Sequence, residues 1–495
     1  MNLREAIATQ KMRPFQIRVV VICIVLALVD GFEVLVGAFT ATPISKAFDL
    51  NSAQTGYFLS ASTFGMAVGA VLISPLADKI GRRKHIMMCM ALIAVGMAGS
   101  ALAPSFGVLL TARAFAGIWI GALIPSINIL VSEYSSDASR GRVMGIYGIG
   151  LPLGSGTGGY ITGFLNNNYG WQAAFWFGFA LTTLLLIGSV FWLPESIHYL
   201  VEKRPAGALE AYNKIGAKLD YPAESELPPA HVKKGESVVV AALFRGIMMR
   251  RTVLLWLGYA CLAAAFYFAN QWTPRLLTGF LTTKVKQGSP EAAGWTNPVV
   301  SDPKAIADLA KAAPGKWDTT ATYVQQMSDS AAASYGTNAG VLVSFGGVAG
   351  ALIFAALAKR IHPRMLTAYT LLWGLIIYVL YANLFKTPAL ALILAVGVGM
   401  AANGGIVAFY AISPAIYPTA ARGTGVGWMI GFGRGVAILA PIIAGYLLDG
   451  GMAASTLYQI FGVIMLLGAL CVIALHRTFK GESEAMMESV PAAAH

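Results

Sequence analysis

A chain of 495 residues that is 57% hydrophobic and only 12% charged, with a mean hydropathy of +0.66, lies outside the balance of soluble domains and reads as a polytopic membrane protein. The formal net charge of +12 does not point to nucleic acid, because the basic residues gather in short connectors between apolar runs, the positive-inside pattern. Four cysteines stand singly in apolar segments and six histidines show no ligand spacing, so no disulfide framework, metal site or cofactor is expected, and no nucleophile–base constellation supports an enzyme.

Apolar runs of spanning length fall at about 17–40, 53–76, 85–104, 107–131, 142–165, 171–193, 252–280, 337–358, 365–385, 388–412, 422–448 and 454–476. The pattern predicts an all-α membrane protein of twelve transmembrane helices in two six-helix halves, residues 1–193 and 252–476. A polar connector over 194–251 separates the halves, and a tail follows from 477 to 495. The connectors holding Lys79, Arg82, Arg83 and Lys84, then Arg140 and Arg142, then Lys359, Arg360 and Arg364 are read as cytoplasmic. An even number of spans then puts both termini on that side. Residues 281–336 form a long insertion on the other side, in which 302–313 and 320–335 are each expected to make a short helix.

The first run carries two acids, in Asp30-Gly31-Phe32-Glu33. A carboxylate at the middle of a span costs roughly 2.5–3.5 kcal/mol on insertion scales, so such groups face a protein interior or a wet cavity. Residues three apart share a helix face, and Asp30 lies about 18 Å along the span from Arg18, which marks a protonation site at mid-membrane. Between the second and third runs comes Asp78-Lys79-Ile80-Gly81-Arg82-Arg83, where Gly81 permits a tight turn and Asp78 can meet a helix N-terminus or an arginine, a breakable latch. In the fourth run Arg113 precedes Gly117 and Gly121, a small-residue face for close helix approach. Arg113 is either part of that glycine-lined motif or an arginine snorkelling at the interface. Glu133 and Tyr134, then Asp137 and Arg140, at the far end, read as an ion-pair cluster.

The fifth run holds Pro152 among many glycines and reads as close helix packing, and Leu193-Pro194-Glu195-Ser196 stops the sixth. In the seventh, Tyr267, Asn270 and Trp272 precede Pro274, which is expected to break the span and expose polar groups to a ring. Tyr410 and Trp428 are further aromatic candidates for a substrate site. The eleventh run opens at Arg422 and carries Arg434 twelve residues on, about 18 Å deep, level with Asp30. There a guanidinium can clamp a carboxylate bidentately, or it can form a permanent ion pair with Asp30 or Glu33.

The first-span acids, the D-K-x-G-R-R loop, the P-E-S stop and Tyr417-Pro418-Thr419 leading through Arg422 to Gly433-Arg434 resemble the aromatic acid:H+ symporter family of the major facilitator superfamily over nearly the whole chain apart from 281–336. The resemblance implies a bacterial inner-membrane importer of aromatic carboxylates driven by protons, working as a monomer in the lipid bilayer. It also implies that Asp30, Glu33, Asp78, Arg422 and Arg434 are required for uptake. Two departures are the glutamate at position 33, where the family has aspartate, and the long insertion. A sugar carrier shares the loop and P-E-S motifs but needs no mid-membrane arginine. A drug exporter would carry a G-P-x-x-G-G motif in the fifth span, and Pro152 is too far from Gly158-Gly159 for it. A nontransporting receptor would use the insertion as its ligand domain and has no need of Asp30 and Glu33.

Overall fold

The computed structural model describes residues 3–229, 243–286 and 320–479 apart from 359, 386 and 418–421, with backbone alone for 281–286, 320–331, 388 and 422–424. A short amphipathic α1 (Leu3–Thr9) precedes α2 (Pro14–Ala47), α3 (Ser52–Val68), α4 (Ala77–Ile80), α5 (Arg82–Ala101), α6 (Phe106–Glu133), α7 (Asp137–Tyr169) and α8 (Trp171–Trp192). Small helices α9 (Ile197–Lys203) and α10 (Ala208–Ala217) lie in the connector. The second half holds α11 (Gly246–Lys286), α12 (Thr320–Leu357), α13 (Pro363–Leu384), α14 (Pro388–Ile412), α15 (Arg422–Asp449) and α16 (Ala454–Arg477). Eleven of these helices are long and apolar enough to cross a membrane. The twelfth is α7, whose 33 residues are diluted in hydropathy by glycine but which packs lengthwise on α2 and α12.

Local chemistry sets the helix ends. Asn51 caps α3 by accepting from the Gln54 N–H, and Pro363 and Pro388 occupy first-turn positions that need no donor. Glycine decides which helices approach closely. A Cβ on Gly31 would overlap the Leu151 carbonyl oxygen of α7 and lie 2.9 Å from its carbon. Gly117 and Gly121 bring α6 against the α3 backbone at Ser62 and Met66, the close approach their spacing predicts.

Two expectations are corrected. Pro274 does not break the seventh span: α11 runs unbroken through it, with the Thr278 hydroxyl donating to the Pro274 carbonyl at 2.8 Å. The 320–335 segment is not a separate short helix but the first part of the 38-residue α12, since no proline interrupts its Ala/Ser/Gln-rich sequence. The segment 302–313 lies outside the described residues.

Among the described residues the halves join toward one end, the end opposite the basic connectors. There α7 meets α12 through Ser155 and Ser344, whose hydroxyls are 2.9 Å apart, and through Gly163, where a Cβ would come within 2.7 Å of Thr337. Likewise α3 meets α15: Ser60 donates to the Ile438 carbonyl at 2.7 Å, and Gly56 faces Pro441. About two to three turns nearer the basic end, on those same faces, Gly145 of α7 and Gly427 and Gly431 of α15 meet nothing within 4 Å. Both cross-half helix pairs therefore splay apart, and a cleft opens toward the basic connectors.

Candidate functional site

Asp30 sits at the midpoint of the 34-residue α2 and is 3% exposed, with Oδ1 lacking any hydrogen-bond partner. Across the cleft Arg434 stands near the middle of the 28-residue α15, half-buried, its charge acting on Asp30, Tyr259 and Tyr267. Among the described residues no ion pair within 4.0 Å joins Arg434 to Asp30 or Glu33, so the permanent-pair alternative does not describe this state. The arginine keeps donors free for another anion.

Tyrosines surround this gap. Tyr147 of α7 and Tyr267 of α11 both lie within electrostatic reach of Asp30. Tyr410 stacks on Tyr259 with centroids 6.2 Å apart and hydroxyls 3.4 Å apart. Tyr259 reaches the Arg434 turn because Gly433 has no side chain: a Cβ there would overlap its ring. Trp428 lies about 9 Å nearer the basic end, by helical rise, in an aromatic cluster with Trp256, Phe244 and Phe432.

Glu33 does not share Asp30's surroundings. Three residues turn the side chain by about 60°, enough to send it into the first half instead of the cleft. Its carboxylate accepts from the Thr182 hydroxyl of α8, while Arg113 Nη2 donates to the Glu33 carbonyl oxygen at 3.0 Å. Arg113 is 1% exposed and lies 5.5 Å from the Phe175 ring centre, so it is a buried partner of Glu33 and no snorkelling arginine.

Asn270 and Trp272 were expected to present polar groups to a ring and are corrected. Asn270 is buried and donates to the Phe266 carbonyl of its own helix. Trp272 is 1% exposed and its indole N–H goes to the Pro441 carbonyl of α15 at 3.2 Å. With α11 continuous, both are engaged in packing.

At the basic end the loop and stop motifs assemble into one polar cluster. Gly81 has φ +97°, a conformation that favours glycine, and a Cβ there would press 2.5 Å from Glu195 Oε2. Arg82 donates to Asp78 (3.2 Å) and Ser196 (3.4 Å), the Ser196 hydroxyl donates to Glu133 (2.6 Å), and Glu195 accepts from the Arg83 N–H (3.0 Å). Arg140 pairs with Asp137 at 2.7 Å, and Glu133 faces Arg82 at 4.0 Å. Asp78 remains two-thirds exposed. Arg422 begins α15, and its side chain lies outside the described residues.

Sequence reasoning missed Thr182 and Tyr259. Thr182 was signalled only by the Thr182-Thr183 pair in an apolar run, and Tyr259 by nothing beyond its aromatic character.

Twelve helices in two halves about a charged, tyrosine-lined cleft at mid-depth define a multi-pass membrane carrier. Residues 21–294 and 317–489 match the Major Facilitator Superfamily, and the chain belongs to it. The chain is 26% identical over 477 residues to the gallate transporter of Pseudomonas putida, covering 96% of this chain and 94% of that one. It is 27% identical over 481 residues to the 4-hydroxybenzoate transporter PcaK of Pseudomonas aeruginosa, covering 96% and 95%. In fold it is similar to a bacterial homologue of the human lysosomal transporter Spinster in an inward-facing, occupied conformation, with TM-score 0.63, 17% identity and 95% and 98% coverage. It is also similar to the xylose transporter XylE of E. coli in a partially occluded inward-open conformation, with TM-score 0.60, 14% identity and 96% and 100% coverage.

Proposed function

We propose that this chain imports an aromatic carboxylate together with protons across a bacterial inner membrane, by alternating access, as a single chain with both termini cytoplasmic. The observation that carries the reading is Arg434: a mid-depth guanidinium, half-buried, opposite Asp30 without an ion pair, ringed by Tyr147, Tyr267, Tyr259 and Tyr410. The names of the curated relatives support the same substrate class.

In this mechanism the substrate carboxylate binds Arg434 and its ring lies among the tyrosines. Asp30 and Glu33 divide the proton work. Asp30 faces the cleft, and its protonation removes a negative charge that competes with the substrate for Arg434. Glu33, held by Thr182 beside Arg113, is the second acid, sealed from the cleft. A cavity loaded with a neutralised pair closes at lower electrostatic cost than one holding bare charges. The halves then rock about the site and open at the basic, cytoplasmic end. Asp78, Gly81, Arg82, Arg83, Glu133, Arg140 and Arg422 act at that end as the gate.

The test is uptake of labelled gallate, 4-hydroxybenzoate and benzoate into proteoliposomes under an inward proton gradient, for wild type and Arg434→Lys. Protonophore-sensitive accumulation lost in the lysine variant supports the reading. Accumulation that ignores the gradient, or survives the substitution, overturns the coupling or the clamp respectively.

A further inference from the structure

Asp449 is the last residue of α15 and lies at the closed end of the molecule. The first four N–H groups of a helix have no partner within it. In α3 all four are accounted for, and in an unusual way. Gln54 N donates to the Asn51 side chain at 2.8 Å and Asn51 N to the Gln54 side chain at 3.0 Å. The other two come from the opposite half: Ser52 N and Ala53 N donate to Asp449 Oδ1 and Oδ2, each at 2.8 Å. A carboxylate on the second half thus caps the N-terminus of a helix in the first half with both oxygens, where the helix dipole favours negative charge. Arg275 lies within electrostatic reach of it, Tyr57 and Tyr446 meet hydroxyl to hydroxyl at 2.6 Å beside it, and Gly445 allows the backbones to approach.

The arrangement has a counterpart. Helix α3 enters at the closed end, and Asp78 follows its far end; α15 begins at the open end, and Asp449 terminates it. Each of the two facing spans therefore delivers an aspartate to the end at which the other begins. Asp449 is engaged here, whereas Asp78 is two-thirds exposed and bonded only within its own loop.

We infer that Asp449 is the latch that holds the outer end shut while the cleft faces the basic end, and that it releases α3 whenever the opposite end closes. This rests on the alternating-access reading above. It assigns Asp449 a positioning role in the transport cycle, acting through the α3–α15 contact and never on substrate.

The experiment is hydrogen–deuterium exchange on the purified full-length protein without substrate, comparing wild type, Asp449→Asn and the double variant Asp449→Asn/Asp78→Asn. Asp449→Asn keeps the shape while removing the charge and one acceptor. Loss of one helix cap changes a two-state population about five- to thirty-fold. Exchange should therefore rise not only over 52–56 but also in the α7–α12 contact around Ser155 and Ser344, which Asp449 does not touch. The double variant should return those remote amides toward wild type, because both latches are then weakened. A misfolded protein shows no such recovery. Exchange that rises over 52–56 alone, or a remote rise the second substitution deepens, overturns the latch. The readout involves no substrate, so a chain that fails to accumulate aromatic acids yet shows the linked exchange retains the latch and loses only the proposed substrate.

Discussion

Gly31 stands between the two first-span acids, and its replacement by alanine tests whether that glycine serves packing or chemistry. An added Cβ overlaps the Leu151 carbonyl oxygen and sits 2.9 Å from its carbon and 3.0 Å from Leu151 Cα. These are backbone atoms of a continuous helix, so no rotamer change relieves the overlap; α2 and α7 must part by about 1 Å. Overpacking of this kind costs about 1–3 kcal/mol. Because Asp30 is the preceding residue and Tyr147 stands one turn from Leu151, the separation also shifts the acid against its aromatic neighbour. Misplacement by about 1 Å in a reactive geometry can cost 100-fold. Thermal unfolding in detergent should show a midpoint lowered by several degrees, and uptake in proteoliposomes should fall by at least ten-fold. Gly148→Ala on the same helix, where nothing lies within 4 Å, is the control and should leave both near wild type. Equal midpoints for the two variants would refute the reasoning, since the same added methyl then meets no resistance at Leu151.

Other consequences follow from the same geometry. Arg113→Leu leaves the buried Glu33 carbonyl oxygen without its donor and should destabilise by about 1–3 kcal/mol, read as a lowered melting temperature; an unchanged melting temperature would argue against that contact. Gly81→Ala forces alanine to φ +97° and presses it on Glu195, so stability should fall by about 1–3 kcal/mol, whereas Gly141→Ala, in open space, should be neutral in the same melting assay. Gly433→Ala displaces the Tyr259 ring beside Arg434 and should raise the substrate KM with little change in melting temperature; an unchanged KM would remove Tyr259 from the site. Asp30→Asn should abolish gradient-driven accumulation while leaving substrate exchange, and retention of accumulation would contradict its place in coupling.

The membrane class, the twelve spans and their grouping in sixes were legible in the chain because hydrocarbon leaves a backbone few options: apolar runs of about 20 residues become helices wherever they fall. Depth was legible for the same reason, since a fixed rise per residue set Asp30 and Arg434 at one level before their relation in space was known. The loop and stop motifs marked the basic end, and the fold gathers Arg82, Glu133, Glu195 and Ser196 into one hydrogen-bonded cluster there. Rotation and partnership were not legible. Sixty degrees of turn separates Asp30 in the cleft from Glu33 among Arg113 and Thr182, and nothing local specifies which neighbour helix fills each direction. Trp272 looked like a binding residue because proline nearby suggested a break; the helix continued, since neighbouring helices satisfy the freed groups, and the indole went to Pro441. The Asp449 cap lay furthest from sequence reasoning. An aspartate at the end of one span and an N-terminus 396 residues earlier become partners only when two halves meet, and which end of the molecule they close is a property of the packed pair of halves alone.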